Sequence, residues 1–204
     1  MVRKSIFRER ILESGILDPE GIHHEFANSG HGQKLDFDLI QDNSPLYAEW
    51  VELNSQSIRK WGRSVLAVVG VANGTNRLAR DVGASLEVES LYTHKVSPRE
   101  VRLTADSQKF LLEHTNEGGL VIALEDVGTT GGTALTAIKS IREAGQFETE
   151  GRFTWQRTDG LAAFDEAGIP YTSIIHEPLP TYSPEQCTKE GYCSEGWQLI
   201  PHTR

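Results

Sequence analysis

The chain has 204 residues, with 20 Lys and Arg against 29 Asp and Glu and a net charge of −9. That length suits one α/β domain with a small appendage and argues against a second full domain, while the excess negative charge argues against nucleic acid as a generic partner, since phosphate backbones are held by excess positive charge. No apolar stretch approaches the roughly 20 residues needed to span a bilayer, and the start, Met1-Val-Arg-Lys-Ser-Ile-Phe-Arg-Glu9, has no secretory apolar core, so a cytoplasmic protein with no membrane partner is expected.

In chain order, Ile6, Phe7, Ile11, Leu12, Ile16 and Leu17 form a helical stripe interrupted by Gly15 and stopped near Asp18-Pro19, which predicts a helical cap on the sheet. Alternation of Leu35, Phe37 and Leu39 predicts an edge strand. Leu46, Trp50, Leu53 and Ile58 predict a helix over 45–61. The apolar run 64–71 reads as a buried strand, 72–76 as a tight turn, and 77–82 as the helix it leads into. Residues 86–95 alternate as a strand, 96–100 turn, and 101–103 return antiparallel as a hairpin arm. A helix over 107–114 then leads through Asn116-Glu-Gly-Gly119 to the apolar run Leu120–Leu124.

Beyond it come a helix patterned by Leu135, Ile138 and Ile141, a strand over 153–157, a helix over 160–167 and a strand over 169–175. Glu148-Thr149-Glu150 reads as a solvated turn. The tail past Pro178 reads as irregular, with Trp197, Leu199 and Ile200 folding back on the body. Alternating βα units predict an α/β fold, a doubly wound and mostly parallel sheet with right-handed crossovers. The core would occupy about 62–176, with a hood from 1–45 and 177–204. Cys187 and Cys193 are the only cysteines. A disulfide between them needs an oxidising compartment, and zinc would need more ligands than the nearest histidines in sequence, His176 and His202, supply. His23 and His24 read as packing or surface residues.

The most informative segment is Leu120-Val-Ile-Ala-Leu-Glu-Asp-Val-Gly-Thr-Thr-Gly-Gly-Thr-Ala134. Its uninterrupted apolar start fits a strand covered on both faces, so Glu125 and Asp126 emerge at the carboxyl end, where open α/β sheets bind ligands. Gly128, Thr129, Thr130, Gly131, Gly132 and Thr133 combine little bulk with many backbone amides and three hydroxyls, just before a helix. Such a loop can wrap a phosphate monoester without a lysine, and the adjacent carboxylates can accept hydrogen bonds from vicinal sugar hydroxyls. No Lys follows the glycines, so this is not a Walker A loop.

Glu125-Asp126-Val127-Gly128-Thr129-Thr130-Gly131-Gly132-Thr133, behind its strand, resembles the phosphoribosyl pyrophosphate (PRPP) signature of type I phosphoribosyltransferases. Gly70-Val-Ala-Asn-Gly-Thr-Asn-Arg-Leu-Ala79 resembles that family's pyrophosphate loop, so Ala72, Asn73, Gly74 and Thr75 would approach the leaving group. Gly74 stands where the orotate branch carries Lys, so Arg77 would supply the charge. Ser29-Gly30 followed by Phe37-Asp38 resembles the orotate branch's substrate-binding segment, with Asn28 in place of its Lys. Tyr92-Thr-His-Lys95 resembles the strand leading into that branch's catalytic loop, with His94 replacing an Arg and Ser97-Pro98-Arg99-Glu100 departing from the pattern beyond. Phe153–Arg157, with Gln156 in place of an Asp, and Gly168–Ser173 resemble its later strands.

The resemblance implies Mg²⁺-dependent transfer of ribose 5-phosphate from PRPP to a nucleobase, orotate first, by a homodimer. It implies that Asp126 and Glu125 hold the ribose hydroxyls and that residues 128–133 hold the 5′-phosphate. Lys95 and Arg99 would face the pyrophosphate with Arg77, while Phe37 and Arg157 would bind the base. The Mg²⁺ would take few or no direct protein ligands. A purine or other base, and a PRPP-sensing regulator that has lost catalysis, are the alternatives; the absence of a basic surface and of a helix-turn-helix pattern counts against the latter.

Overall fold

The computed structural model describes residues 2–26, 30–97 and 100–202. In chain order it contains α1 (Val2–Glu13), β1 (Ile22–Glu25), β2 (His31–Gly32), a 3₁₀ helix (Phe37–Asp42), α2 (Ser44–Arg59) and β3 (Val65–Gly70). There follow α3 (Ala72–Leu86), β4 (Glu89–Ser97), β5 (Glu100–Leu103), α4 (Ala105–Glu113), β6 (Leu120–Gly128) and α5 (Gly132–Ala144). The chain continues through β7 (Glu148–Gln156), α6 (Ala162–Ala167), β8 (Tyr171–His176), β9 (Thr181–Tyr182), α7 (Pro184–Glu190) and β10 (Gln198–Ile200). These elements form two compact units, residues 48–176 and residues 1–47 with 177–204.

The larger unit is built on a six-stranded sheet of order β5-β4-β3-β6-β7-β8. All neighbouring pairs are parallel except β4–β5, an antiparallel hairpin with Lys95 opposite Val101. The order follows from the connections: α3 carries the chain from β3 to β4 on one side, and α4 returns it to β6 on the other. The carboxyl ends of β3 and β6 therefore lie side by side where the strand order reverses, the usual ligand crevice of such sheets. Apolar residues of β3, β6 and β7, such as Val69, Ala123 and Phe153, form one buried cluster with Leu111 of α4, Ile138 and Ile141 of α5, and Phe164 of α6. On α2, fully buried Trp50 donates its indole N–H to the Thr154 hydroxyl of β7 at 2.5 Å, satisfying both groups.

The smaller unit carries a four-stranded sheet of order β10-β1-β2-β9. Its strands are two to four residues long. Arg8 of α1 pairs with Glu177.

Several expected elements differ. The edge strand through Leu35, Phe37 and Leu39 is instead a 3₁₀ helix, because the Asp36 carboxylate accepts the Asp38 N–H at 3.2 Å and caps a local turn. Phe37 is buried in that helix and Leu39 is half exposed. The 72–76 turn is the first turn of α3, since the Thr75 hydroxyl donates back to the Val71 carbonyl at 2.8 Å. Glu148-Thr149-Glu150 is not a solvated turn. Pairing opposite Leu120, Val121 and Ile122 draws it into β7 and buries Glu150. The tail is ordered too: α7 starts with a Ser183/Gln186 capping box, and β10 pairs with β1.

Thr75 is 1% exposed, and its hydroxyl also reaches the Leu124 carbonyl at 3.0 Å, linking the start of α3 to β6. Thr75→Val keeps the volume but removes both contacts and should cost about 1–3 kcal/mol in urea unfolding, with Thr75→Ser recovering most of the loss. Equal stability of all three proteins would contradict the linkage.

Candidate active site

Backbone geometry, more than side chains, shapes the loop after β6 into a candidate anion cradle. Three successive carbonyls are engaged from the segment that follows β7. Gly128 O accepts the Arg157 N–H at 3.0 Å, Thr129 O the Thr158 hydroxyl at 2.6 Å, and Thr130 O the Ala163 N–H at 3.0 Å. In a trans peptide the N–H points opposite the carbonyl, so the amides of Thr129, Thr130 and Gly131 face away from this brace. Gly131 offers no side-chain cap to α5, and the Gly132 N–H makes only a long bond of 3.4 Å to the Thr130 hydroxyl, so the start of the helix contributes the positive end of its dipole.

Glycine is required here by space as well as by conformation. Gly131 has φ +78°, and a Cβ there would lie 2.6 Å from the Phe164 ring; at Gly128 it would lie 2.9 Å from Phe153. Those rings meet edge to face at 5.4 Å, with Tyr171 completing the support under the loop.

Glu125 and Asp126 are half-buried at the end of β6, and the Asp126 carboxylate accepts the Val127 N–H at 2.6 Å. Burial first, then the Asp126 charge, push the Glu125 carboxyl well above the ordinary carboxylate range, while the Lys95 ammonium pulls it back. The structure thus brings exposed Lys95, from β4, within electrostatic reach of the acid pair.

Across the crevice, the Thr93 hydroxyl accepts the Ala72 N–H at 2.7 Å and donates to Gly70 O at 2.8 Å. Ala72 sits at φ +59°, a left-handed conformation unusual for a residue with a Cβ. A Cβ at Gly70 would lie 2.7 Å from the Asn76 backbone, so only glycine lets α3 start this close to β3. Gly74 lies in that first turn, and Arg77 is exposed one turn further. The Thr75 hydroxyl is spent on the Val71 and Leu124 carbonyls, so its side chain positions the turn.

Arg157 is buried beside the cradle through its amide bond to Gly128, and Gln156 accepts the Ser173 hydroxyl at 3.3 Å. Residues 72–75, 95, 125–133 and 157 therefore belong to one unit, whereas Phe37 belongs to the other. Asn28, Ser29 and Arg99 lie outside the described residues. A cleft of about 440 Å³ between the hairpin and α5 is lined by Glu100, Arg102, Thr136 and Lys139, among others, and includes none of residues 125–133.

One grouping was not expected from the sequence. His23 and His31 meet Cys187 and Cys193 in the smaller unit, across separations of 164 and 170 residues for His23 and the two cysteines. No local motif signals it.

No family model matches the chain. It is 28% identical over 183 residues to an orotate phosphoribosyltransferase of Caldanaerobacter subterraneus, covering 86% of this chain and 90% of that one. It is 30% identical over 131 residues to the orotate phosphoribosyltransferase of Rhodopseudomonas palustris, covering 60% and 67%. The crystal structure of Mycobacterium tuberculosis orotate phosphoribosyltransferase in complex with PRPP superposes with a TM-score of 0.57 at 17% identity, covering 85% of this chain and 96% of that one. The sheet with its switch point and the acid pair before a braced glycine loop agree with these likenesses, and the chain belongs to the type I phosphoribosyltransferase family, within which it is similar to the orotate phosphoribosyltransferases.

Proposed function

We propose that the protein transfers the 5-phosphoribosyl group of PRPP to orotate and releases pyrophosphate. The observation that carries this reading is the cradle: amides turned inward by three tied carbonyls, next to two carboxylates, at the switch point of a parallel sheet.

The bond from the ribose anomeric carbon to pyrophosphate breaks and a bond from that carbon to the base nitrogen forms, through an oxocarbenium-like state. Proteins accelerate such a step mainly by positioning and charge management. The amides of 129–133 hold the 5′-phosphate as a fixed anchor. Asp126 and Glu125 accept hydrogen bonds from the 2′ and 3′ hydroxyls, orienting the ring and stabilising positive charge that develops on it. The start of α3, residues 72–75, and the Arg77 guanidinium would face the departing pyrophosphate, with Lys95 adding positive charge. Arg157, with its planar pair of donors, suits the orotate carboxylate.

The half-buried Glu125 and Asp126 fit a site that receives a polyanion together with a divalent cation, because their mutual repulsion leaves negative charge to be compensated. Mg²⁺ would be held chiefly by pyrophosphate and ribose oxygens, with this acid pair behind them, and would neutralise the leaving group.

Family resemblance supports a homodimer and a cytoplasmic location. Among the described residues no helix is long and apolar enough to cross a membrane. Gly74, in place of the orotate branch's Lys, favours a second reading, a PRPP-binding regulator without turnover.

Pyrophosphate release assayed with PRPP, Mg²⁺ and a panel of bases separates these readings. Orotate-dependent turnover is expected; PRPP binding without turnover on any base would replace the enzyme with the regulator. Asp126→Asn should lower kcat/KM roughly 10²-fold. Arg157→Lys, which keeps the charge but loses the planar fork, should raise the orotate KM about tenfold or more while leaving the PRPP KM unchanged; equal effects on both would remove Arg157 from the base site.

Glu125 also gives a pH signature. A carboxyl whose folded value is raised binds its proton more tightly when folded, so stability is lost as pH rises from the ordinary carboxylate range towards the raised value. Glu125→Gln should therefore stabilise the unliganded protein at neutral pH, with the gain vanishing near pH 4. A gain that is constant with pH would contradict the assignment.

A further inference from the structure

The smaller unit holds a cluster with no part in the transfer reaction. In the β1–β2 pairing Glu25 stands opposite His31, and side chains alternate along a strand, so His23 and His31 occupy the same face. Their rings are 5.5 Å apart. Cys187 comes from α7, and Cys193 from the turn after it, onto the same point. His23 Nε2 lies 3.3 Å from Cys193 Sγ and 3.7 Å from Cys187 Sγ, and His31 Nδ1 lies 3.5 Å from Cys193 Sγ. All four candidate ligand atoms fall within 4.8 Å of one another.

These separations match a tetrahedron around one ion. With metal–sulfur bonds of about 2.3 Å and metal–nitrogen bonds of about 2.0–2.1 Å, tetrahedral angles place nitrogen and sulfur ligands roughly 3.6 Å apart. We infer that His23 Nε2, His31 Nδ1, Cys187 Sγ and Cys193 Sγ form a structural Zn²⁺ site.

Two thiolates with two imidazoles are the ligand set that selects zinc among common divalent ions. Four protein ligands leave no open position, so the site is structural rather than catalytic. Cys187 and His23 are fully buried and His31 nearly so, as a closed site requires. The Cys193 N–H donates to Cys187 Sγ at 3.2 Å, an outer hydrogen bond that stabilises thiolate charge. Tyr192, packed between His23 and Trp197 with rings tilted by 35° at distances of 5.5 and 4.6 Å, shields the cluster.

The fold of this unit gives the ion a task. Strands of two to four residues are too short to hold a sheet by themselves. The ion ties β1 and β2 to α7 and the turn that leads into β10, cross-linking segments that are far apart in sequence. Binding releases the protons of the two thiols, so affinity falls as pH is lowered.

The test is zinc content of the full-length protein purified without chelator under reducing conditions, followed by replacement with Co²⁺. One zinc per chain is expected, with Co²⁺ giving the intense visible bands of a tetrahedral thiolate site. Cys193→Ser and His31→Gln should each weaken zinc in chelator competition by more than about tenfold. Chelation should lower the Tm of wild type and readdition of zinc restore it. Because replacing buried Cys187 risks the fold itself, the cobalt spectrum of Cys193→Ser, whose side chain is less buried, serves as the second readout and should lose thiolate-to-metal intensity. The inference is overturned if wild type refolded with zinc holds no stoichiometric metal, if the Cys187→Ser/Cys193→Ser double variant binds zinc as wild type does, or if the protein isolated from cells carries a Cys187–Cys193 disulfide in place of metal. None of these outcomes depends on transferase activity.

Discussion

Everything at the candidate site depends on where three carbonyls go. Because Gly128, Thr129 and Thr130 give their carbonyl oxygens to Arg157, Thr158 and Ala163, the opposite edge of the loop becomes a row of donors. A glycine-rich loop without that brace would have many conformations, and an anion would have to order it at the expense of affinity. Here the ordering is done during folding. The cost appears as constraint: Gly128 and Gly131 lie against Phe153 and Phe164, and neither tolerates a Cβ.

On the proposed function, the same economy would let a chain of net charge −9 hold a polyanion. Charge on the phosphate is met by backbone dipoles rather than by lysines. On the proposed function, cationic side chains would serve the leaving group and the base, where charge changes or must be read. Burial and the Asp126 charge hold the Glu125 carboxyl above its ordinary range, with Lys95 already opposing that shift; on the proposed function, ribose hydroxyls and a cation would relieve the pair further. A strained residue at the opposite wall, Ala72, and a threonine spent wholly on backbone carbonyls show that the β3–α3 corner is also shaped at a cost to stability.

Much of this was legible in the sequence because its signals are local. An uninterrupted apolar run, two acids, then glycines and a helical stripe fix strand, edge and helix start within 20 residues, and alternating βα units fix the sheet. What escaped was set by competition or distance. Leu35, Phe37 and Leu39 have a strand's alternation, but Asp36 caps a 3₁₀ turn and wins. Glu148 to Glu150 look solvated, yet pairing with β6 pulls them into the sheet and buries Glu150. The extent of α3 was hidden because Gly74 suggests a turn, whereas the Thr75 hydroxyl bond to Val71 closes the first helical turn around it. The His and Cys cluster had no local signal, since its two halves are separated by most of the chain.

The most direct measurement is a crystal structure of the protein with PRPP and Mg²⁺. The braced cradle predicts the 5′-phosphate within hydrogen-bond distance of the amides of Thr129, Thr130 and Gly131, with the ribose hydroxyls on Asp126 and Glu125. A PRPP molecule bound elsewhere, or a cradle left empty at saturating PRPP, would contradict the account.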